Sequence, residues 1–161
     1  MIHMPQEIPT LEVIIEVPRG CFLKRGSLGR LDFVSPFPCP FNYGSVEKYV
    51  GLDDDLLDAV VLGPRLQRGR RIKVQALGAV RLMDRGMHDY KVICSNRPIG
   101  VRQRFLILLF FKFYAKCKGL LNFFRGRPGR NACMGWFEAG AAIASAKLRT
   151  EMNWEGPTVP Y

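Results

Sequence analysis

Strand patterns before Cys94 and helical patterns after Gly100 make this an α+β chain, mainly β, on three observations. Apolar and polar residues alternate over residues 11–17 and again from Ile72, the period of a half-buried strand. Glycine and proline punctuate the first half at Pro18, Gly20, Gly26, Gly29 and Gly63-Pro64, which keeps its apolar runs short. After Gly100 the texture changes to one long apolar window over 101–124 and an alanine-rich segment over 137–150, both with the composition of helices.

In the first strand, Leu11, Val13, Ile15 and Val17 share one face, and Glu12, Ile14 and Glu16 share the other. Glu16 either looks into a cleft from the strand's end or is a solvated face residue. Residues 21–24 and 31–34 are short strand candidates. Pro36, Pro38 and Pro40 remove three backbone donors, so residues 35–44 are expected as an extended, buried loop that ends in Asn42-Tyr43-Gly44. Residues 58–62 form the next strand, 68–71 a basic turn, and 72–83 a long strand with a bulge or close backbone approach at Gly78. Residues 84–89 are a hairpin tip leading into a strand over 90–94. In the helix, Phe105, Leu108, Leu109, Lys112 and Lys116 lie near one edge.

The 161 residues, 48% hydrophobic and 24% charged, are expected as a single domain over 1–161, with no internal repeat or linker. The apolar run 105–111 is far short of the ~20 residues that span a bilayer. The N-terminus lacks the basic and apolar regions of a secretory signal. Five scattered cysteines without a CxxC pair argue against a zinc ribbon or a disulfide framework and for reduced thiols. With only two histidines, His3 and His88, a histidine-based triad is not expected, and no Walker A loop is present. The formal charge of +10 calls for an anionic partner without choosing among nucleic acid, phosphorylated small molecules and acidic membrane.

Against that basic background the acids are concentrated. Asp53, Asp54, Asp55 and Asp58 crowd into six positions. Carboxylates this close repel unless water at a turn or a hard cation neutralises them, and Mg²⁺ takes one or two carboxylates together with substrate phosphates. Asp84 and Asp89 flank the hairpin and can converge at its mouth. Asp89 and Lys91, two apart on a strand, share a face and offer a carboxylate for a cation and an ammonium for a phosphate. An aspartate-capped turn and a surface ion pair are the simpler alternatives.

Taken together, these motifs resemble the family I soluble inorganic pyrophosphatases over about residues 11–148. Glu16-Val17-Pro18 is similar to the family's Glu-Ile-Pro strand, with Lys24 at a fitting distance. Pro40-Phe41-Asn42-Tyr43-Gly44 looks like its Pro-x-Asn-Tyr-Gly loop. Asp53-Asp54-Asp55-Leu56-Leu57-Asp58 is similar to its Asp-x-Asp-Pro-x-Asp signature. Residues 78–84 and Asp89-Tyr90-Lys91 resemble two further segments, and Tyr114 and Gly135-Trp136 fit a C-terminal helical part. The resemblance implies an OB-like five-stranded β-barrel with two or more C-terminal helices packed outside. It implies Mg²⁺-dependent hydrolysis of pyrophosphate to two orthophosphates by a metal-activated water, with other divalent cations such as Mn²⁺ able to substitute.

The resemblance also implies site roles. Asp53, Asp58, Asp84 and Asp89 would be metal ligands, with Asp58 shared between two ions, and Glu16 would hold a metal-bound water. Asp55 would orient or deprotonate the attacking water. Lys24, Arg30, Tyr43, Lys91 and Tyr114 would bind phosphate oxygens. A cytoplasmic homo-oligomer is implied, with neither membrane nor nucleic acid as partner.

Departures mark a divergent member. Leu31 stands where the family's phosphate arginine is expected, with Arg30 the nearest candidate. Gly26 and Arg85 replace acids, Ala115 replaces the lysine after the helix tyrosine with Lys116 one place along, Cys39 replaces a tyrosine, and Leu56 replaces the signature proline. The alternative is a barrel that has lost turnover and binds anions or nucleic acid through Arg68, Arg70, Arg71, Arg125, Arg127 and Arg130.

Overall fold

The computed structural model describes residues 7–21, 38–52, 55–126, 129 and 131–149, and the backbone of 23–25 and 31–34. Five strands form a ring: β1 (Thr10–Val17), β4 (Asn42–Val50), β5 (Leu56–Val61), β7 (Met87–Cys94) and β6 (Arg71–Asp84). β1 pairs back onto β6 through Thr10–Gln75 to Ile14–Arg71 and closes it. Every pairing in the ring is antiparallel except β5 with β7, which is parallel. A separate small sheet joins β2 (Leu23–Arg25) to β3 (Leu31–Val34). Outside the ring, β8 (Ala132–Phe137) pairs with β6 and β9 (Lys147–Leu148) with β4. The helices are α1 (Val101–Phe124) and α2 (Ala139–Ser145).

The ring is hydrophobic on both faces. Leu11, Val13 and Ile15 of β1, Val46 of β4, Leu57, Ala59 and Val61 of β5, and Val92 and Cys94 of β7 fill its interior, which Ala139 and Ala142 of α2 close. The alternate residues Tyr43, Val60, Val80, Leu82 and Ile93 face outward and are covered by Ile107, Phe111 and Tyr114 of α1. This double burial explains the continuous apolar texture of β5. Each such fully buried aliphatic or aromatic side chain stabilises the fold by roughly 1.5–3 kcal/mol.

The alternation expected over residues 11–17 is borne out, as are the strand over 31–34 and the helix over 101–124. Gly78 sits at a register shift, and a Cβ there would lie 2.2 Å from Trp136 Cζ2. Several expectations are corrected. Asn42-Tyr43-Gly44 is the start of β4 rather than a loop, because its backbone groups pair with β1 and β5. β5 begins at Leu56, ahead of Asp58. The helix expected over 137–150 shrinks to α2: Phe137 pairs with Ala79 in β8, and residues 147–148 pair with β4, so sheet hydrogen bonds override alanine's helix propensity. Gly135 and Trp136 therefore lie on a strand, not in a helical part. The edge of α1 with Phe105, Lys112 and Lys116 faces solvent. Among the described residues, no helix is long and apolar enough to cross a membrane.

Candidate active site

The register of the ring assembles one polar patch on its outer face. Residues opposite one another in a ladder project to the same side. Ser45 of β4 stands opposite Asp58 of β5, Asp58 beside Lys91 of β7, and Lys91 opposite Val80 of β6. One step along, Asp89 stands opposite Leu82, and beyond them Asp84 stands opposite Met87. Asp58, Lys91, Asp89 and Asp84 therefore share the face that α1 covers.

Lys91 lies at the centre. It is 1% exposed, and its ammonium donates to Oδ2 of Asp58 and lies 2.6 Å from Oδ2 of Asp89. The expected sharing of a face by Asp89 and Lys91 is borne out, but as a buried triad rather than a surface pair. The ammonium also stands 5.5 Å from the centre of the Tyr43 ring, a cation–π distance.

Other acids border it. Ser45 Oγ donates to Glu16 Oε1 at 2.8 Å, which turns Glu16 toward the row that Ser45 begins. Asp55, buried just before β5, accepts the Leu56 N–H on Oδ1 at 2.8 Å, so the carboxylate is held against the backbone. Asp84 turns toward α1, where Lys118 Nζ lies 2.7 Å from Oδ2 and Asn122 Nδ2 donates to Oδ1 at 3.3 Å. Tyr114, buried on α1, stacks against Phe110 and lies 5.9 Å below Lys118 Nζ. Lys24 belongs to β2 and pairs with Phe33 through its backbone. Asp53 and Arg30 lie outside the described residues, as do Arg127 and Arg130.

Sequence spacing put Asp89 and Lys91 on one face and the resemblance added Asp58, and the fold brings all three into contact. It missed Lys118, Asn122 and Ser45. Tyr114, Lys118 and Asn122 follow one another at i, i+4 along α1, a spacing that places them on one stripe and that could have revealed the two partners of Asp84. It also missed the role of Asn42, which is fully buried and fastens three segments. Its Oδ1 accepts from Arg19 N and Leu66 N, and its Nδ2 donates to the carbonyls of Val61 and Pro64. The basic turn is engaged by acids: Arg71 Nη1 lies 3.0 Å from Glu47 and 3.4 Å from Glu12. Cys94 faces the ring interior, where burial pushes its thiol up to about 12 and makes it a poor nucleophile.

The donor chemistry suits a hard cation: all the acids of the patch offer carboxylate oxygens, and Asp58 and Asp89 already converge on one positive group, the Lys91 ammonium. Among the described residues, no three carboxylate, thiol or imidazole side chains gather around a common ion position.

The fold is thus a closed five-stranded OB-like barrel that carries carboxylates and an ammonium interleaved on one outer face. Comparison with known proteins is specific. The family profile "Inorganic pyrophosphatase" matches residues 13–103, from β1 into the first turn of α1. The chain belongs to the inorganic pyrophosphatase family. Similar solved structures include an inorganic pyrophosphatase from Coxiella burnetii, 26% identical over 87% of this chain and 92% of that one, with a TM-score of 0.64. The inorganic pyrophosphatase from Thermus thermophilus is 22% identical over 90% of each chain, with a TM-score of 0.67. The enzyme from Helicobacter pylori is 20% identical over 88% of this chain and 94% of that one, also with a TM-score of 0.67.

Proposed function

We propose that the patch hydrolyses inorganic pyrophosphate to two orthophosphates with Mg²⁺, that Asp53, Asp58, Asp84 and Asp89 would hold the metal, and that Glu16 would hold a metal-bound water. The observation that carries this reading is the buried convergence of Asp58 and Asp89 on the Lys91 ammonium, in a chain of the inorganic pyrophosphatase family. A bound divalent cation would lower the pKa of water and neutralise phosphate charge.

The chain's own residues do the rest. Asp55, oriented by the Leu56 N–H, accepts the proton of the attacking water. The water oxygen bonds to one phosphorus as that phosphorus parts from the bridging oxygen, and the second phosphate leaves with that oxygen and its electron pair. Lys91, with the Tyr43 ring beside it, offsets charge on the phosphate oxygens. Lys24, Arg30 and Tyr114 bind the outer oxygens. Phosphoryl transfer depends chiefly on positioning and charge stabilisation, which a pre-assembled row of opposite charges supplies.

The working form is a cytoplasmic homo-oligomer with no membrane or nucleic-acid partner. Support for assembly comes from α1, where Phe105, Leu106, Leu109, Leu120, Phe123 and Phe124 are each more than half exposed. Support for a reducing compartment comes from the thiols of Cys21, Cys94, Cys117 and Cys133, none of which is in a disulfide. The test is phosphate release from pyrophosphate by the purified chain, with Mg²⁺ and with chelator. Metal-dependent release is expected. A folded protein that releases no phosphate under either condition would overturn the reading.

A further inference from the structure

We propose that Cys21 and Cys39 form a modification site, a pair of thiols set opposite each other that a low-molecular-weight disulfide converts to a reversible Cys21–Cys39 disulfide. The proposal stands apart from the hydrolytic reading, and its test needs no turnover.

The backbone sets the pair. Residues 18–21 make a tight turn after β1, in which the Cys21 N–H donates to the Pro18 carbonyl at 3.1 Å. Gly20, at the third position, takes the positive φ such a turn requires, 90°. From that turn the chain runs against residue 39. The Gly20 N–H donates to the Cys39 carbonyl at 2.8 Å, and the Cys39 N–H donates to the Cys21 carbonyl at 2.9 Å. Two residues thus face one, as in a bulge opened by a left-handed glycine, and Cys21 stands opposite Cys39. Residues hydrogen-bonded across antiparallel chains have Cα atoms about 5.5 Å apart, inside the roughly 4.4–6.8 Å that a disulfide spans. The side chains turn the same way: Cys39 belongs to the apolar cluster of Val17, Phe41 and Tyr43, and Cys21 packs against that cluster.

The two thiols divide the work of an exchange. Cys21 is half-buried and Cys39 is buried, so an incoming small disulfide reaches Cys21 first. Arg65 Nη2 donates to Cys21 Sγ at 3.7 Å, which places a positive charge at the attacking sulfur. Cys21, as thiolate, bonds to one sulfur of the small disulfide, whose S–S bond breaks and whose other half leaves as a thiolate. Cys39, as thiolate, then bonds to Cys21 Sγ and expels the second half. The two protein thiols are oxidised to one disulfide, the small disulfide is reduced to two thiols, and the protons of Cys21 and Cys39 go to the two leaving groups. The remaining thiols are placed differently: Cys94 is sealed in the ring interior, and Cys117 and Cys133 sit on separate elements, α1 and β8. The bridge closes residues 22–38, the segment that carries Lys24 and Arg30, into a loop. In a reducing compartment such a bond is transient and forms when small disulfides accumulate.

The test incubates the wild type, Cys21→Ser, Cys39→Ser and Arg65→Gln with oxidised glutathione, quenches with acid, and reads intact mass and tryptic peptides. In the wild type the main product is expected to have lost two hydrogens, to join peptide 20–24 to peptide 31–48, and to revert with dithiothreitol. Cys39→Ser should stop at a glutathione adduct on Cys21, Cys21→Ser should form no bridge, and Arg65→Gln should form it at least threefold more slowly. The bridged protein should melt no lower than the reduced protein, because the link restricts the unfolded chain and joins residues already in register. A glutathione adduct that persists on Cys21 of the wild type, a bridge between other cysteines, or a wild type left unmodified would each overturn the proposal. So would a Cys21–Cys39 bridge that lowers the melting temperature, since it would join sulfurs that the native chain does not hold together.

Discussion

Lys91→Met removes the ammonium that bridges Asp58 and Asp89 while keeping most of the side chain's length and its apolar stem. Lys91 is 1% exposed, and the two aspartates are 8% and 6% exposed, so water cannot readily replace the lost ammonium. Breaking a buried ion pair by removing one partner costs about 3–5 kcal/mol, because the remaining charge stays buried. For a domain of this size that is a fall in melting temperature of roughly 6–20 °C, at 2–4 °C per kcal/mol. Mg²⁺ should stabilise the variant more than the wild type, since a cation can take the vacated charge position. Thermal melts at pH 7, with and without Mg²⁺, measure both effects. A variant that melts within about 2 °C of wild type, with the same response to Mg²⁺, would refute the claim that the triad is a buried charge cluster.

Asn42→Ala deletes four hydrogen bonds that tie β4 to residues 19, 61, 64 and 66, and should cost about 3 kcal/mol in urea unfolding. Asn42→Asp should fare little better, because a carboxylate cannot donate to the Val61 and Pro64 carbonyls. Gly78→Ala drives a Cβ into the Trp136 ring and should cost about 1–3 kcal/mol, with a shifted tryptophan emission. Cys94 should resist iodoacetamide at pH 8 in the native protein and react in urea. Burial pushes its folded pKa from the ordinary thiol value of 9.0 up to about 12, so the unfolded state loses its proton first and stability is lost as pH rises from about 9. Cys94→Val should flatten that alkaline fall.

What the sequence revealed and what it concealed divide along physical lines. Residues 11–17 alternate because one face of β1 meets the barrel interior, so their pattern is local and readable. β5 is buried on both faces, so its apolar run gives a strand but not its facing; Asp58 betrays the outer face only because a charge interrupts it. β8, Ala-Cys-Met-Gly-Trp-Phe, has no clean period and is a strand because β6 offers it an edge beyond the Gly78 bulge. α2 is short because residues 147–148 find hydrogen bonds on β4, a contact far away in sequence. In the site, Asp89 and Lys91 were legible because i, i+2 spacing on a strand fixes a common face. Lys118 shares a helix stripe with Tyr114 and Asn122 that local spacing offers, but only the packing of α1 on the sheet sets Asp84 opposite that stripe.

The most direct measurement of the central claim compares Asp58→Ala with wild type in phosphate release from pyrophosphate at saturating Mg²⁺, each verified as folded by circular dichroism. Asp58 stands in the middle of the polar row, and Lys91 retains Asp89 as a partner when it is removed, so the variant should fold. The account predicts Mg²⁺-dependent release by wild type and its abolition in the variant. Full release by a folded Asp58→Ala protein would contradict it.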